Sequence, residues 1–189
     1  MTRLWLVRHG PTHAKSMVGW SDLPADLSDT AKIARLRAYL PHAPVVSSDL
    51  VRATATADAL DPSTRLPHDK NLREINFGDW ELKTFADVEA DDPAHIRAYW
   101  ETPGDVAPPQ GESWNTVCAR VNGAIDGYLK QDFSDLILVA HFGMILTQVQ
   151  RASGISAYEA FSHKIDNLSV TKLMYSDGQW TTEAINHNP

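Results

Sequence analysis

The sequence predicts a layered α/β domain with a mostly parallel sheet. Three short apolar runs, at residues 4–7, 45–47 and 136–140, have the composition of strands that are buried on both faces. Segments with apolar residues at helical spacing lie between and after these runs. Strands that alternate with helices along a chain are typical of a parallel sheet covered by helices.

The composition predicts one domain that covers residues 1–189. A chain of 189 residues with 43 % hydrophobic residues can bury a full core. It contains no internal repeat and no low-complexity tract. The most irregular stretch, residues 102–111, holds three of the eleven prolines and is interpreted as an ordered loop within the domain.

The first two helices have recognisable start and stop signals. A helix is predicted from a cap at Ser28 to Leu40, because apolar residues recur on one face and Pro41 follows. A second helix is predicted from a cap at Ser48 or Asp49 to about residue 60.

The later elements follow the same logic. Ser113 is the predicted cap of a long helix, and a further helix is expected directly after His141. A strand pair is predicted around the Asp177-Gly178 turn. The remaining predicted segments are short helices at 84–90 and 93–101 and the two late strands at 167–175 and 179–185.

Charge and cysteine content limit the kinds of partner. The formal net charge is −7, from 24 acidic and 17 basic residues, and a surface of that sign repels nucleic acid and anionic membranes. We therefore expect neither nucleic acid nor membrane as a partner. Cys118 is the single cysteine and is interpreted as a structural thiol, which fits a reducing, cytoplasmic location. No apolar stretch is long enough to span a bilayer, and no leader segment is recognisable.

Basic side chains follow each of the three predicted central strands. Arg8, His9 and Gly10 come directly after the first strand, Arg52 lies in the first turn after the second, and His141 follows the third. Because parallel strands end at one edge of a sheet, we expect these side chains to converge there. Arginines neutralise phosphate oxygens and a histidine can attack phosphorus, so this edge is a candidate site for a phosphate dianion.

Each of these residues also has a simpler interpretation. His141 can be a buried histidine satisfied at a strand end, and Arg52 can pair with Asp49 or Asp58. His9 can be a turn residue that bonds its own backbone. The occurrence of all three at separate strand ends favours the phosphate site.

Six sequence blocks together resemble the histidine phosphatase superfamily, also called the phosphoglycerate mutase-like family. They run in the family's order along nearly the whole chain, and they are LVRHGPT, SSDLVRATATA, LREINFGDWE, QGES, ILVAHFG and NLSVTKL. The resemblance implies a three-layer α/β/α fold and a phosphohistidine intermediate formed without a metal or other cofactor. It implies that His9 is the nucleophile, that Arg8, Arg52 and His141 form the phosphate pocket, and that Glu74 is the proton donor.

Further positions in these blocks are candidates for phosphate or substrate binding. Gly10 and Thr12 belong to the first block. Lys15 stands where many members carry an asparagine; it either adds a cation to the pocket or points to solvent. Phe142 replaces the first glycine that follows the second histidine in the family. Its side chain can form one wall of the cleft. Glu112 either faces the substrate or supplies negative charge to a helix N-terminus.

The expected chemistry needs a neutral nucleophile, positive charge and an acid. His9 can attack through one ring nitrogen if a carbonyl near Gly10 holds the proton on the other. The arginines and a protonated His141 would neutralise the phosphoryl oxygens. Glu74 would protonate the leaving alkoxide. Glu81, the other candidate acid in the same block, is expected to support the loop instead.

The sequence thus predicts a phosphatase that acts on a small phosphorylated metabolite. Family mutases carry extra segments over the site, and the spacing here is similar to that of the compact phosphatases. A phosphoglycerate mutase-type phosphotransferase and a non-catalytic phosphate-binding module are the alternatives. His13 lies four residues after His9, but no cysteine cluster or carboxylate pair accompanies them, which disfavours a metal site.

Overall fold

The computed structural model describes residues 1–189 and contains one mixed sheet. Its strands are β1 (Thr2–Arg8), β2 (Val45–Ser47), β3 (Asp135–Ala140), β4 (Val170–Ser176) and β5 (Gln179–His187). Their order across the sheet is β2-β3-β1-β4-β5. The first three are parallel, whereas β4 is antiparallel to both β1 and β5. The predicted α/β class is confirmed, and the late strand pair extends the parallel part as an antiparallel hairpin.

Seven α-helices surround the sheet, and none is long and apolar enough to cross a membrane. They are α1 (Thr30–Tyr39), α2 (Val51–Ala59), α3 (Phe85–Asp91), α4 (Pro93–Glu101), α5 (Trp114–Leu129), α6 (Phe142–Ser153) and α7 (Ala157–Phe161). Helix α7 and two 3₁₀ turns, Lys70–Leu72 and Gly78–Trp80, are too short to leave a periodic pattern in the sequence. The cap of α1 is Asp29 rather than Ser28, because the Asp29 carboxylate accepts the Lys32 amide at 2.9 Å.

Side chains of β1 alternate between two hydrophobic clusters on opposite faces of the sheet. Leu4 and Leu6 belong to the cluster that contains α5 and α6. Trp5 and Val7 belong to the cluster that contains α1 and α2. A strand buried on both faces therefore lies between two helical layers, which gives the three-layer arrangement.

Helix α2 begins without the predicted side-chain cap. The residue before its first turn is Leu50; Ser48 Oγ accepts only the Leu50 amide, at 3.2 Å, and Asp49 bonds no amide of the helix. Asp22, from a distant loop, accepts the Val51 amide at 2.7 Å instead. The prediction of the cap was wrong because the acceptor comes from tertiary structure.

The three parallel strands end at one edge, as their composition predicts. The His9 amide donates to the Ala140 carbonyl at 3.0 Å, and the Ser48 amide donates to the Val139 carbonyl at 3.1 Å. Hydrogen bonds thus continue one residue beyond the strands and place the residues after β1, β2 and β3 side by side. Since His141 follows Ala140 directly, it lies between the other two.

Candidate active site

His9 is a buried histidine whose tautomer is fixed by the backbone. Only 6 % of the residue is exposed, and its Nδ1 lies 2.6 Å from the Gly10 carbonyl oxygen. A carbonyl only accepts, so Nδ1 carries the proton and Nε2 keeps its lone pair. Burial and the nearby Arg52 guanidinium lower the pKa of His9 to about 3. The ring is therefore neutral and nucleophilic at physiological pH.

The turn after His9 is tied to helix α2. The Gly10 amide donates to Thr56 Oγ1 at 2.9 Å, and that hydroxyl donates to the Arg52 carbonyl at 2.7 Å. A Cβ at Gly10 would lie 2.6 Å from Leu27 Cδ2 and 3.1 Å from the Asp26 carbonyl oxygen, so a larger residue here would force Leu27 to shift. His9 and the arginine after the second strand are thus held in one hydrogen-bonded unit.

Arg52 is almost fully buried and is held by the loop of residues 19–21. Its two Nη atoms donate to the carbonyls of Ser21, at 2.9 Å, and Gly19, at 2.6 Å. The Glu81 carboxylate supports this loop, as the sequence predicts, and does not act as a free acid. It accepts five hydrogen bonds, which come from the amides of Gly19, Trp20, Ser21 and Phe77 and from the Ser21 hydroxyl.

Arg8 adds the second positive charge at the end of β1. One Nη donates to the Ile165 carbonyl at 2.5 Å, and its guanidinium carbon lies 5.4 Å from the centre of the Phe142 ring. Its Nε is buried and has no partner. Phe142 therefore packs against the arginine, and the guanidinium keeps a donor for a bound anion.

His141 lies beside His9, with ring centres 5.0 Å apart. It is fully buried, and its Nε2 lies 2.7 Å from Ser48 Oγ, whereas its Nδ1 has no partner. Burial and the neighbouring His9 and Arg52 lower its pKa well below the ordinary value. His141 is therefore neutral in the pocket without an anion, whereas the expected imidazolium refers to the pocket with phosphate bound.

Glu74 reaches the same pocket from the segment between the two 3₁₀ turns. Its Oε1 accepts the amides of Ile75, at 3.0 Å, and Gly143, at 2.9 Å. Burial raises the pKa of Glu74 and outweighs these hydrogen bonds and the two arginines. A buried carboxyl with a raised pKa can hold a proton and deliver it as a general acid.

Comparison with known proteins agrees with this geometry. Residues 4–188 match the model of the histidine phosphatase superfamily, branch 1. The chain belongs to that superfamily. It is 26 % identical to the adenosylcobalamin/α-ribazole phosphatase of Salmonella typhimurium over 97 % of this chain and 96 % of that protein. It is 34 % identical to the glucosyl-3-phosphoglycerate phosphatase of Mycobacterium tuberculosis over 76 % of this chain and 71 % of that protein. The structure of Bacillus stearothermophilus YhfR is similar, with a TM-score of 0.89, 25 % identity and coverage of 99 % and 98 % of the two chains.

Three other candidates from the superfamily motifs form no hydrogen bond to His9, Arg8, Arg52 or His141. Lys15 is exposed and forms no hydrogen bond or ion pair, and Thr12 bonds only within its own loop. Both oxygens of Glu112 are 2.8 Å from Arg120 nitrogens, and one also accepts the Asn76 amide at 2.9 Å. The carboxylate of Glu112 thus ties the loop before α5 to the segment after Glu74.

Two residues with metal or thiol chemistry are also outside the cluster. His13 is exposed, and its Nε2 lies 2.7 Å from an Asp26 carboxylate oxygen. No group of three or more His, Cys, Asp or Glu side chains is arranged to hold a metal ion. Cys118 is half-buried, and burial raises its pKa to about 11, which agrees with a structural thiol.

Sequence reasoning missed four residues that support the site. Thr56 and Ser48 lie in the block SSDLVRATATA, and Asn167, which donates to the His9 carbonyl at 2.8 Å, begins the block NLSVTKL. Their positions within these blocks were the signal that could have identified these three residues. Trp20 gave no signal; it is 37 % exposed at the rim, and its Nε1 donates to the Glu74 carbonyl at 2.9 Å.

Gly143 allows Glu74 to approach the first turn of α6, and we expect Gly143→Ala to break this contact. The added Cβ would overlap Glu74 Oε1 and lie 2.8 Å from Ile75 Cδ1. Overpacking of this kind destabilises a fold by about 1 to 3 kcal/mol, which urea unfolding measures.

Gly123→Ala is the matched control for that substitution. A Cβ at Gly123, inside α5, meets nothing within 4 Å. We expect this variant to be more stable by about 0.5 to 1 kcal/mol, because alanine favours a helix. Equal stability changes in the two variants would contradict the close approach of Glu74 to Gly143.

Proposed function

We propose that this protein is a metal-independent phosphatase that hydrolyses small phosphomonoesters through a phosphohistidine on His9, with Glu74 as proton donor. The observation that carries the proposal is the fixed tautomer of His9, whose Nδ1 donates to the Gly10 carbonyl at 2.6 Å. This leaves Nε2 as a lone-pair nucleophile in a pocket with the buried Arg52, the half-buried Arg8 and a buried carboxyl. The phosphatase names of the two relatives support the same reaction.

In the first step, His9 Nε2 attacks phosphorus and the ester P–O bond breaks. Arg8 and Arg52 stabilise the negative charge on the phosphoryl oxygens as the N–P bond forms. The proton of Glu74 passes to the leaving alkoxide, which departs as an alcohol. The raised pKa of Glu74 supports this role, because the carboxyl must be protonated before the step begins.

In the second step, water attacks the phosphohistidine. The Glu74 carboxylate accepts a proton from the water, the P–N bond breaks, and His9 recovers its Nε2 lone pair. Inorganic phosphate leaves, and Glu74 is protonated again. One carboxyl thus serves as acid and then as base, so the cycle needs no further proton carrier.

The proposed phosphate-contacting residues are almost inaccessible to solvent. His9, Arg52, Glu74 and His141 are each at most 7 % exposed, which suits contact with a compact phosphoryl group. The leaving group then lies towards the rim, where Arg73 packs 4.8 Å from the centre of the Trp20 ring. This separation of the buried phosphate-contacting residues from the region of the leaving group supports a small monoester as the substrate.

Hydrolysis of an aryl phosphate in the presence of EDTA tests the proposal. We expect stoichiometric release of phosphate and phenol without added metal. Retained binding of phosphate or vanadate without turnover would favour a phosphate-binding module. Transfer of phosphate between the carbons of phosphoglycerate, primed by a bisphosphate, would favour a mutase. Active protein is then screened on a panel of phosphorylated metabolites to identify the leaving group.

A further inference from the structure

His141 is a fully buried histidine that uses only one of its ring nitrogens. Its Nε2 lies 2.7 Å from Ser48 Oγ, and its Nδ1 is buried without a partner. Buried polar atoms in folded proteins have hydrogen-bond partners, so Nδ1 is the atom available to a bound ligand. Whether Nδ1 offers a proton or a lone pair depends on whether the Ser48 hydroxyl donates to Nε2 or accepts from it.

The hydroxyl of Ser48 has two neighbours, and one of them is already a donor. Ser48 is fully buried, and its Oγ accepts the Leu50 amide at 3.2 Å. An amide N–H cannot accept, so His141 Nε2 is the single acceptor within reach of the hydroxyl proton. The local hydrogen bonding therefore favours donation from Ser48 to His141.

The opposite arrangement leaves polar groups unsatisfied. If Nε2 carried a proton, Ser48 Oγ would accept from both neighbours, and its own proton would be buried without an acceptor. In the neutral form, the Nδ1 lone pair would then face a phosphoryl oxygen and repel it. In the imidazolium form, the buried hydroxyl proton would remain unpaired. With a phosphoryl oxygen at Nδ1, only the neutral Nδ1–H tautomer satisfies every one of these atoms.

The sheet order places His141 where this tautomer matters. Strand β3 lies between β2 and β1, so the ring of His141 stands between Ser48 and His9. Its Nε2 is hydrogen-bonded to Ser48, which follows β2. The phosphoryl acceptor, His9, is 5.0 Å away from ring centre to ring centre.

We propose that Ser48 is a positioning residue that holds His141 as the neutral Nδ1–H tautomer, so that Nδ1–H donates to an oxygen of the phosphoryl group. The positive charge of the pocket then resides on Arg8 and Arg52, and His141 contributes a directed hydrogen bond. The role in phosphate binding rests on the function proposed above. The tautomer itself is a property of the free protein.

Nitrogen NMR of the free wild-type protein tests the tautomer without any assay of activity. With ¹⁵N-labelled histidine, we expect the His141 ring to show one protonated nitrogen, Nδ1, and an unprotonated Nε2 at neutral pH. His141→Gln identifies the signals. An Nε2–H tautomer or an imidazolium in the wild type would overturn the proposal, whatever the protein's activity.

Ser48→Ala tests the role of the hydroxyl, with Ser47→Ala as the matched control. Both serines are fully buried on β2 or at its end, but Ser47 Oγ bonds Arg65 and His68 instead. We expect Ser48→Ala to change the His141 nitrogen signals and to weaken vanadate binding by about tenfold, the effect of one lost hydrogen bond. Ser47→Ala is expected to change neither.

Ser48→Thr, which keeps a hydroxyl, is expected to restore the signals and the affinity. Equal losses in the two alanine variants, or an unchanged tautomer in Ser48→Ala, would refute the positioning role. If Ser48→Ala does not fold, the wild-type spectrum decides. A wild type that binds no vanadate would overturn the proposed function, and the spectrum would still decide the tautomer.

Discussion

His9→Ala is expected to abolish turnover of phosphomonoesters and to leave the fold intact. The substitution removes the Nε2 nucleophile, and the loss of a covalent nucleophile typically lowers kcat by a factor on the order of 10⁴ to 10⁶. The bonds that anchor this turn involve the backbone of residue 9, through its amide to Ala140 and its carbonyl to Asn167. Alanine preserves both, so the unfolding curve should change little.

Rapid quench in alkaline detergent with a phosphate-labelled substrate, followed by treatment with acid, is the measurement. The wild type should retain label as an acid-labile phosphoramidate, and His9→Ala should retain none. His13→Ala, an exposed histidine on the adjoining loop, serves as the control and should label as the wild type does. Label that survives acid, as in a phosphoserine, would assign the nucleophile to another residue.

Glu74→Gln is expected to slow substrates with poor leaving groups by about 10² to 10⁴, because only these need a proton. Release of phenol from aryl phosphates with good leaving groups in a single turnover should proceed at nearly the wild-type rate, whereas hydrolysis of the phosphohistidine should slow for every substrate because an amide cannot act as the base. The amide is a close isostere: Glu74 Oε1 accepts the Ile75 amide and the shorter bond from the Gly143 amide, and the oxygen of glutamine can do the same. The substitution removes only the longer bond of the Gly143 amide, at 3.1 Å to Oε2. The fold should therefore persist.

The dependence of the single-turnover rate of His9 phosphorylation on leaving-group pKa measures this effect. The slope should be steep for Glu74→Gln and shallow for the wild type. Glu89→Gln, which removes an ion pair with Arg97 on the α3 surface, is the control and should behave as the wild type. Equal slowing of good and poor leaving groups would place the acid elsewhere.

The raised pKa of Glu74 also predicts how stability depends on pH. Between the ordinary value of 4.5 and the raised value, native Glu74 binds a proton that the unfolded chain has released. Stability must then fall as pH rises through this window, since the native state binds more protons. In Glu74→Gln this contribution disappears, which urea unfolding at several pH values can measure.

Local composition was sufficient to predict the central strands and the helices that follow them. The run at residues 136–140 and the cap at Ser113 depend on neighbours in sequence, and both are found in the structure. The start of α2 was not predictable, because Asp22 comes from a distant loop. The antiparallel hairpin of β4 and β5 was recognisable as a pair, whereas its direction relative to β1 depends on non-local pairing.

The candidate site was predictable as a set of side chains and not as a set of protonation states. The ends of three strands identified Arg8, His9 and His141, since parallel strands share an edge. The neutral state of His141 and the raised pKa of Glu74 arise from burial, which no local pattern encodes. The partners of Ser48 are likewise set by the packing of β2 against β3.

The loop at residues 19–21 has a consequence for how specificity can evolve in this protein. It supplies the carbonyls that hold Arg52, and it carries Trp20 beside Glu74 at the rim. Changes that reshape this loop for a new alcohol would therefore also disturb the anion-binding chemistry. Residues 84–111 form no hydrogen bond to Arg52 or to residues 19–21, so changes there would reach the anion-binding groups less directly.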